Sequence, residues 1–245
     1  MIRKTLGALL LATCGHAAAI DHAAAVRLVV DLQKLDTGTT MMLYDESDMG
    51  TRSSIEQQLD AVIPALDAAV ADLSGDAGQA AQENRATLVR ALRGGDGSAG
   101  MLNSGYDAQA FAEYRTALGE LLNALNARHA LDKPASQEEQ ALLLAARIVA
   151  VYIRTAGSPF GSYSDTNDAS TGDDLASMAG RMDTLVAALE KKHAANADKS
   201  AIVRRVATKW RFIRSTVVKY TQQATPTITW PSPVYIRLSG FTSRW

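Results

Sequence analysis

Two stretches near the C-terminus carry the same apolar ladder. Leu175, Met178, Met182, Leu185 and Leu189 form one; Val203, Val206, Trp210, Ile213, Val217 and Tyr220 form the other. Steps of three and four place side chains on one face of a helix. The polar break Ala194-Ala195-Asn196-Ala197-Asp198 between them is short, so the spacing predicts two helices folded back on each other as an antiparallel pair.

The same periodicity recurs upstream. A helix is predicted over 23–44, carrying Val26, Val29, Val30 and Leu32 and ending in Met41-Met42-Leu43. Thr37-Gly38-Thr39-Thr40 weakens it, because glycine and β-branched threonine are poor helix formers. A turn follows at 45–50. Ser53 and Glu56 have capping-box spacing and open a second helix with the face Ile55, Leu59, Val62, Leu66, Val70 and Leu73. Pro64 lies inside it and predicts a kink. A third helix covers 77–92 and stops at Gly94-Gly95, after which 94–100 reads as a flexible glycine-rich connection.

A fourth helix spans 107–129 on Phe111, Tyr114, Leu118, Leu121 and Leu125, and Asp132-Lys133-Pro134 breaks it. Ser136 and Glu139 form another capping-box pattern, opening a helix through Leu144, Ile148 and Val151. A polar loop from Gly157 to Asp173 leads into the two ladders. The last 20 or so residues differ: Pro226, Pro231 and Pro233 among β-branched residues predict an extended tail, with Trp230, Phe241 and Trp245 packing back onto the helices. The pattern as a whole predicts an all-α fold, an up-and-down antiparallel helical bundle of about six or seven helices with an extended C-terminal tail.

Composition supports this. Apolar residues make up 47% of 245 and charged ones 21%, an ordinary globular balance. The N-terminus changes the picture. Arg3 and Lys4 precede a short apolar run from Thr5 to Ala12, and Ala17-Ala18-Ala19 supplies small residues for cleavage before Ile20. That is the layout of a secretory signal, too brief for a membrane span. The predicted divisions are therefore a signal peptide at 1–19, a bundle at 20–224 and a tail at 225–245. Leu11-Ala12-Thr13-Cys14 also resembles a lipoprotein box, in which Cys14 becomes lipidated; both outcomes stay open. With Arg3 and Lys4 removed from the 25 basic residues, 23 remain against 26 acidic, which gives no electrostatic reason to expect nucleic acid. The expected location is the periplasm, with membrane attachment only if Cys14 is lipidated.

Trp210-Arg211-Phe212-Ile213, then Tyr220, then Pro226, resembles a pattern in exported bacterial helical proteins similar to the N-terminal sensing domain of type IV pilus methyl-accepting chemotaxis transducers. Gly157 to Tyr163 matches the glycine and aromatic loop that precedes it, and Trp230-Pro231-Ser232-Pro233 stands where that pattern continues as a terminal helix. The resemblance implies a periplasmic helical bundle and a sensor-like or accessory role.

Candidate chemistry is sparse. Asp165, Asn167, Asp168, Asp173 and Asp174 cluster oxygens on one loop, but Ala169, Ser170 and Ala176 occupy places where an EF-hand needs a ligand oxygen, glycine and glutamate. The loop reads as solvated, with Asp173 or Asp174 capping the next helix. His129 and His193 fall near helix C-termini, where partial positive charge is favourable, and no two histidines beyond His16 have metal-ligand spacing. The glycines of 94–100 lack the Lys-Ser/Thr ending of a phosphate cradle, and no nucleophile elbow is present. Arg204, Arg205, Lys209, Arg211, Arg214 and Lys219 make the last long helix basic. Arg204, Arg205, Arg211 and Arg214, with Trp230 from the tail, are the candidate ligand- or partner-binding residues; the plainer role is a solvated face paired to neighbouring acids. No cofactor or metal site is expected. The sequence thus predicts a non-enzymatic periplasmic sensor-like or ligand-binding accessory protein, whose partner is a small ligand or an envelope protein. The alternative is a structural interaction protein of the envelope, lipid-anchored through Cys14.

Overall fold

The structure, a computed structural model, describes residues 20–42, 49–95, 97–156 and 174–222. These residues form eight helices: α1 (His22–Met42), α2 (Met49–Ala71), α3 (Gly75–Arg93), α4 (Met101–Ser104), α5 (Ala108–His129), α6 (Gln137–Ala156), α7 (Leu175–Lys192) and α8 (Ala197–Gln222). The predicted signal, the loop at 157–173 and the tail at 225–245 lie outside the described residues, as do Cys14 and Trp230.

Local sequence explains where the helices begin. Asp107 accepts the Ala110 N–H at 2.8 Å, Asp174 accepts Ser177 N–H at 2.6 Å, and Asn196 accepts Lys199 N–H at 3.0 Å, each in the N-cap arrangement. At α6 half of the expected capping box forms: Glu139 N–H donates to Ser136 Oγ at 3.1 Å, while the Glu139 carboxylate accepts the Ala135 N–H at 2.9 Å, one residue before the N-cap whose own N–H a full box would bind. Ser53 does not cap α2. That helix already starts at Met49, which leaves Ser53 exposed inside its second turn.

The glycine-rich connection is also more ordered than its composition predicts. β1 (Gly94–Gly95) and β2 (Ser98–Ala99) pair antiparallel, and α4 follows at once. Gly94 adopts φ 83°, and a Cβ on Gly100 would sit 2.1 Å from Gly94 N, so the chain can cross itself here only without side chains. Met101 and Leu102 then anchor the segment in the interior.

Packing runs in series. α8 lies on α7, α7 on α6, α6 on α1, and α1 on α2 and α5, while α3 closes the far side against α5 and α2. Two apolar cores result. One gathers side chains of α1 to α5 around Leu32, Leu59, Leu88, Tyr114 and Leu121. The other joins α6, α7 and α8 around Ile148, Met182, Leu189, Trp210 and Ile213. Every member of the opening ladders from Leu175 to Val217 is buried, as their spacing predicts. Fully burying a large apolar side chain stabilises by about 1.5–3 kcal/mol, so these ladders supply most of the cohesion of the α7–α8 hairpin. Among the described residues, no helix is long and apolar enough to cross a membrane.

Candidate functional site

α1 occupies the middle of the series, covered on different sides by α2, α5 and α6. Its residues from Leu35 to Thr40 are buried one after another. A helix with a single covered face buries every third or fourth residue; a consecutive run means neighbours on all sides. The run is Leu-Asp-Thr-Gly-Thr-Thr, so the most enclosed part of the helix is also its most polar. Gly38 has a steric reason: a Cβ there would press to 3.2 Å from Ile55 Cγ1, and its absence lets α2 approach.

Asp36 is the electrostatic centre. Only 3% of it is exposed. Arg115 of α5 donates from Nη1 to both of its carboxylate oxygens, at 2.7 and 2.8 Å. Arg154 of α6 stands 3.8 Å from Oδ2, with its Nε donating to the Ala150 carbonyl. Three helices therefore meet on one buried carboxylate, which ties the first core to the second. A buried charge needs such partners, because bare transfer from water costs several kcal/mol.

Tyr114 sits beside this group with its ring fully enclosed. Burial pushes its phenol well above the usual range, and the Asp36 carboxylate adds to the rise. Thr39, Arg115 and Arg154 pull more weakly the other way, so Tyr114 stays protonated at any physiological pH and is a fixed hydrogen-bond donor. Thr39 is close enough to ease the phenol's ionisation slightly, yet the two hydroxyls do not share a hydrogen bond of ordinary geometry. The hydroxyls of Thr39, Thr40 and Tyr114 and the amide oxygens of Gln33 and Gln58 are buried without a hydrogen-bond partner. Thr37 differs, since its hydroxyl donates back to the Gln33 carbonyl at 2.8 Å. An unsatisfied buried polar group costs about 1–3 kcal/mol, so this concentration of them is a feature to be explained rather than ordinary core.

A line of aromatic rings leads outward from Asp36. Tyr114 stacks on Phe111 with ring centres 6.2 Å apart, and Phe111 meets Tyr106 edge-on at 6.1 Å. Tyr106 is half exposed, so the α5 N-terminus joins the surface to the polar interior. The combination offers a charge-neutralised ion pair, fixed hydroxyl donors and amide acceptors.

The basic face of α8 is a second place. Arg214 Nε donates to both oxygens of Asp183 at 2.7 and 2.9 Å, and the same carboxylate accepts Trp210 Nε1–H at 2.8 Å. Arg211 pairs with Glu190 at 2.8 Å. Two of the four predicted arginines thus bind α7 and close the hairpin. Arg204 and Arg205 remain exposed on the outer side, near the exposed Ile202 and Phe212. Asp174 takes the helix-capping role expected of it or its neighbour. His129 departs from expectation: burial lowers its pKa, so the partial positive charge predicted for a helix C-terminus is disfavoured there. Among the described residues, no group of three or more His, Cys, Asp or Glu is placed to hold a metal ion.

The Asp36 seam was not among the residues singled out from the sequence. Its signals are Arg115 beside Tyr114 in one apolar ladder and Arg154 after Val151-Tyr152-Ile153 in another, two guanidinium groups bordering buried helix faces. No protein-family model matches this chain, and neither does any curated protein or solved structure.

Proposed function

We propose that this chain is an exported, non-enzymatic ligand-binding protein of the bacterial periplasm, sensor-like or accessory in role, and that the Asp36 seam is its recognition element. The secretory layout of residues 1–19 supports export. One observation carries the binding role: buried hydroxyls at Thr39, Thr40 and Tyr114 lack partners beside a completed Asp36–Arg115 pair. Hydrogen-bonding capacity left over inside a folded protein is what a small polar ligand would use.

The test is a thermal-shift screen of the mature chain against periplasmic metabolites and soluble envelope polymers. A ligand at a hundred times its Kd stabilises by about 2.7 kcal/mol, a rise of about 5–10 °C for a chain of this size. Thr39→Val keeps the shape but removes one unpartnered hydroxyl, and should cut that rise by more than half without lowering the melting point of the free protein. A panel with no stabilising compound, or an equal rise in Thr39→Val, overturns the assignment.

A second reading, an envelope interaction protein, draws on the exposed Ile202 and Phe212 beside Arg204 and Arg205. Size that grows with concentration in light scattering, alongside a silent ligand screen, would favour it.

A further inference from the structure

Charge is divided unevenly along this chain. Residues 20–156 carry 11 basic and 19 acidic side chains, whereas 175–222, which form α7 and α8, carry ten basic ones against only Asp183, Glu190 and Asp198. Most basic residues of the first region are spent within it. Arg85, Arg93, Arg115 and Arg128 pair with Asp67, Asp60, Asp36 and Asp72, and Arg90 pairs with Glu113. In the hairpin the acids run out first. Arg214 takes Asp183, Arg211 takes Glu190, and Asp198 lies in the first turn of α8, where the helix dipole favours it. Lys199, Arg204, Arg205 and Lys219 are exposed, and among the described residues none of the four has a carboxylate partner.

These cations share a flank with exposed apolar side chains. α8 packs on α7 through Val203, Val206, Trp210, Ile213 and Val217, so the opposite flank faces outward. Residues seven apart lie nearly in line, being two turns of about 3.6 residues each. Arg205, Phe212 and Lys219 make such a line, and Ile202 stands beside it. Phe212 keeps a contact of its own and is still 55% exposed; Ile202 is 40% exposed. Ala201, Thr208 and Ser215 on the same flank are short and exposed, so the longer groups reach past them.

We propose that the outer flank of α8 docks on an anionic membrane surface, with Lys199, Arg204, Arg205 and Lys219 engaging lipid phosphates while Phe212 and Ile202 enter the headgroup layer. Cations bordering exposed phenylalanine and isoleucine on one helix are the arrangement of an interfacial helix. Each lysine or arginine near an anionic surface strengthens binding about fivefold. Lysine, which supplies two of the four cations, is depleted at protein–protein interfaces. A second copy of the chain is a poor complement, because Asp60, Asp67, Asp72 and Glu113 of its acidic region are already paired. The contact requires neither lipid on Cys14 nor a ligand in the Asp36 seam.

The experiment uses the mature chain, residues 20–245, so that neither the signal segment nor a lipid on Cys14 contributes. It should co-sediment with vesicles of phosphatidylglycerol and phosphatidylcholine but not with phosphatidylcholine alone, and should release as salt rises from about 0.1 M to about 0.5 M. The double change Arg204→Glu, Arg205→Glu should weaken binding at least about twentyfold. Phe212→Ser should weaken it about tenfold. Both replace exposed side chains and should melt as the wild type does. Cys14 is the only cysteine of the chain, so a polarity-sensitive dye can be placed at one site. On anionic vesicles its emission should shift to shorter wavelength at Thr208→Cys and stay unchanged at Gln82→Cys, on the outside of α3. Undiminished binding by the double variant, or a dye shift at Gln82→Cys in place of Thr208→Cys, overturns the proposal. So does equal affinity for soluble polyaspartate that Phe212→Ser leaves intact, which would assign the flank to an acidic polymer instead.

Discussion

The α7–α8 hairpin and the middle of α1 are both buried, and they are buried for opposite reasons. In the hairpin each enclosed position is apolar, from Leu175 to Leu189 and from Val203 to Val217. Its polar groups sit at the margin, where Asp183 joins Trp210 to Arg214. In α1 the enclosed positions include Asp36, Thr37, Thr39 and Thr40, and partners are found for some of their polar atoms but not all. The hairpin is built as a stabilising unit. The seam instead leaves buried polar atoms without partners at a point where three helices meet.

Substitutions can test that contrast. The largest loss is expected from Trp210→Ala, which removes the largest fully buried side chain among the described residues and should cost about 4 kcal/mol in urea unfolding. Asp183 is more than a third exposed and would be rehydrated, so the loss is a packing effect. Asp36→Ala should cost less, about 3 kcal/mol, by leaving the Arg115 and Arg154 guanidinium groups without their common carboxylate. Arg115 keeps other interactions, which limits the penalty. If Asp36→Ala were the more damaging of the two, the seam would be the main structural element and the contrast would fail.

The smallest effect is electrostatic. Burial raises the Glu138 pKa, but the hydrogen bonds from Lys192 and His193 outweigh it and hold the carboxyl at about 2, against an ordinary 4.5. A depressed folded value means a contribution present above the unfolded pKa and lost as pH falls from about 4.5 through about 2. The side chain is 35% exposed, so solvent screening reduces this to about 1 kcal/mol or less. Urea midpoints measured between pH 5 and 2 should fall less steeply in Glu138→Gln than in the wild type.

What could be read in the sequence follows the same division. The ladders of α7 and α8, the Asp107 start of α5 and the Ser136–Glu139 box of α6 are local patterns, and local patterns specify helices and the face they bury. Arg211 and Arg214 were recognisable as basic but not as partners of α7, because nothing in α8 fixes which acids stand opposite. The seam was hidden for a deeper reason. Asp36-Thr37-Gly38-Thr39-Thr40 resembles a weak point in a surface helix, and only enclosure by α2, α5 and α6 makes it an interior. That enclosure depends on residues distant in sequence, such as Arg115 and Arg154, whose spacing from Asp36 has no period to detect.

The position of α1 also sets an order of assembly. The α7–α8 hairpin closes over a four-residue turn, so its two helices can find each other within microseconds. α1 precedes the other described helices in the chain, yet its closest companions include α6, and its ties to His129 and Glu139 span 107 and 117 residues. Its threonines and Asp36 must therefore remain hydrated until most of the polypeptide is available to wrap them. The first of the described helices is among the last to settle, and it does so by shedding bound water.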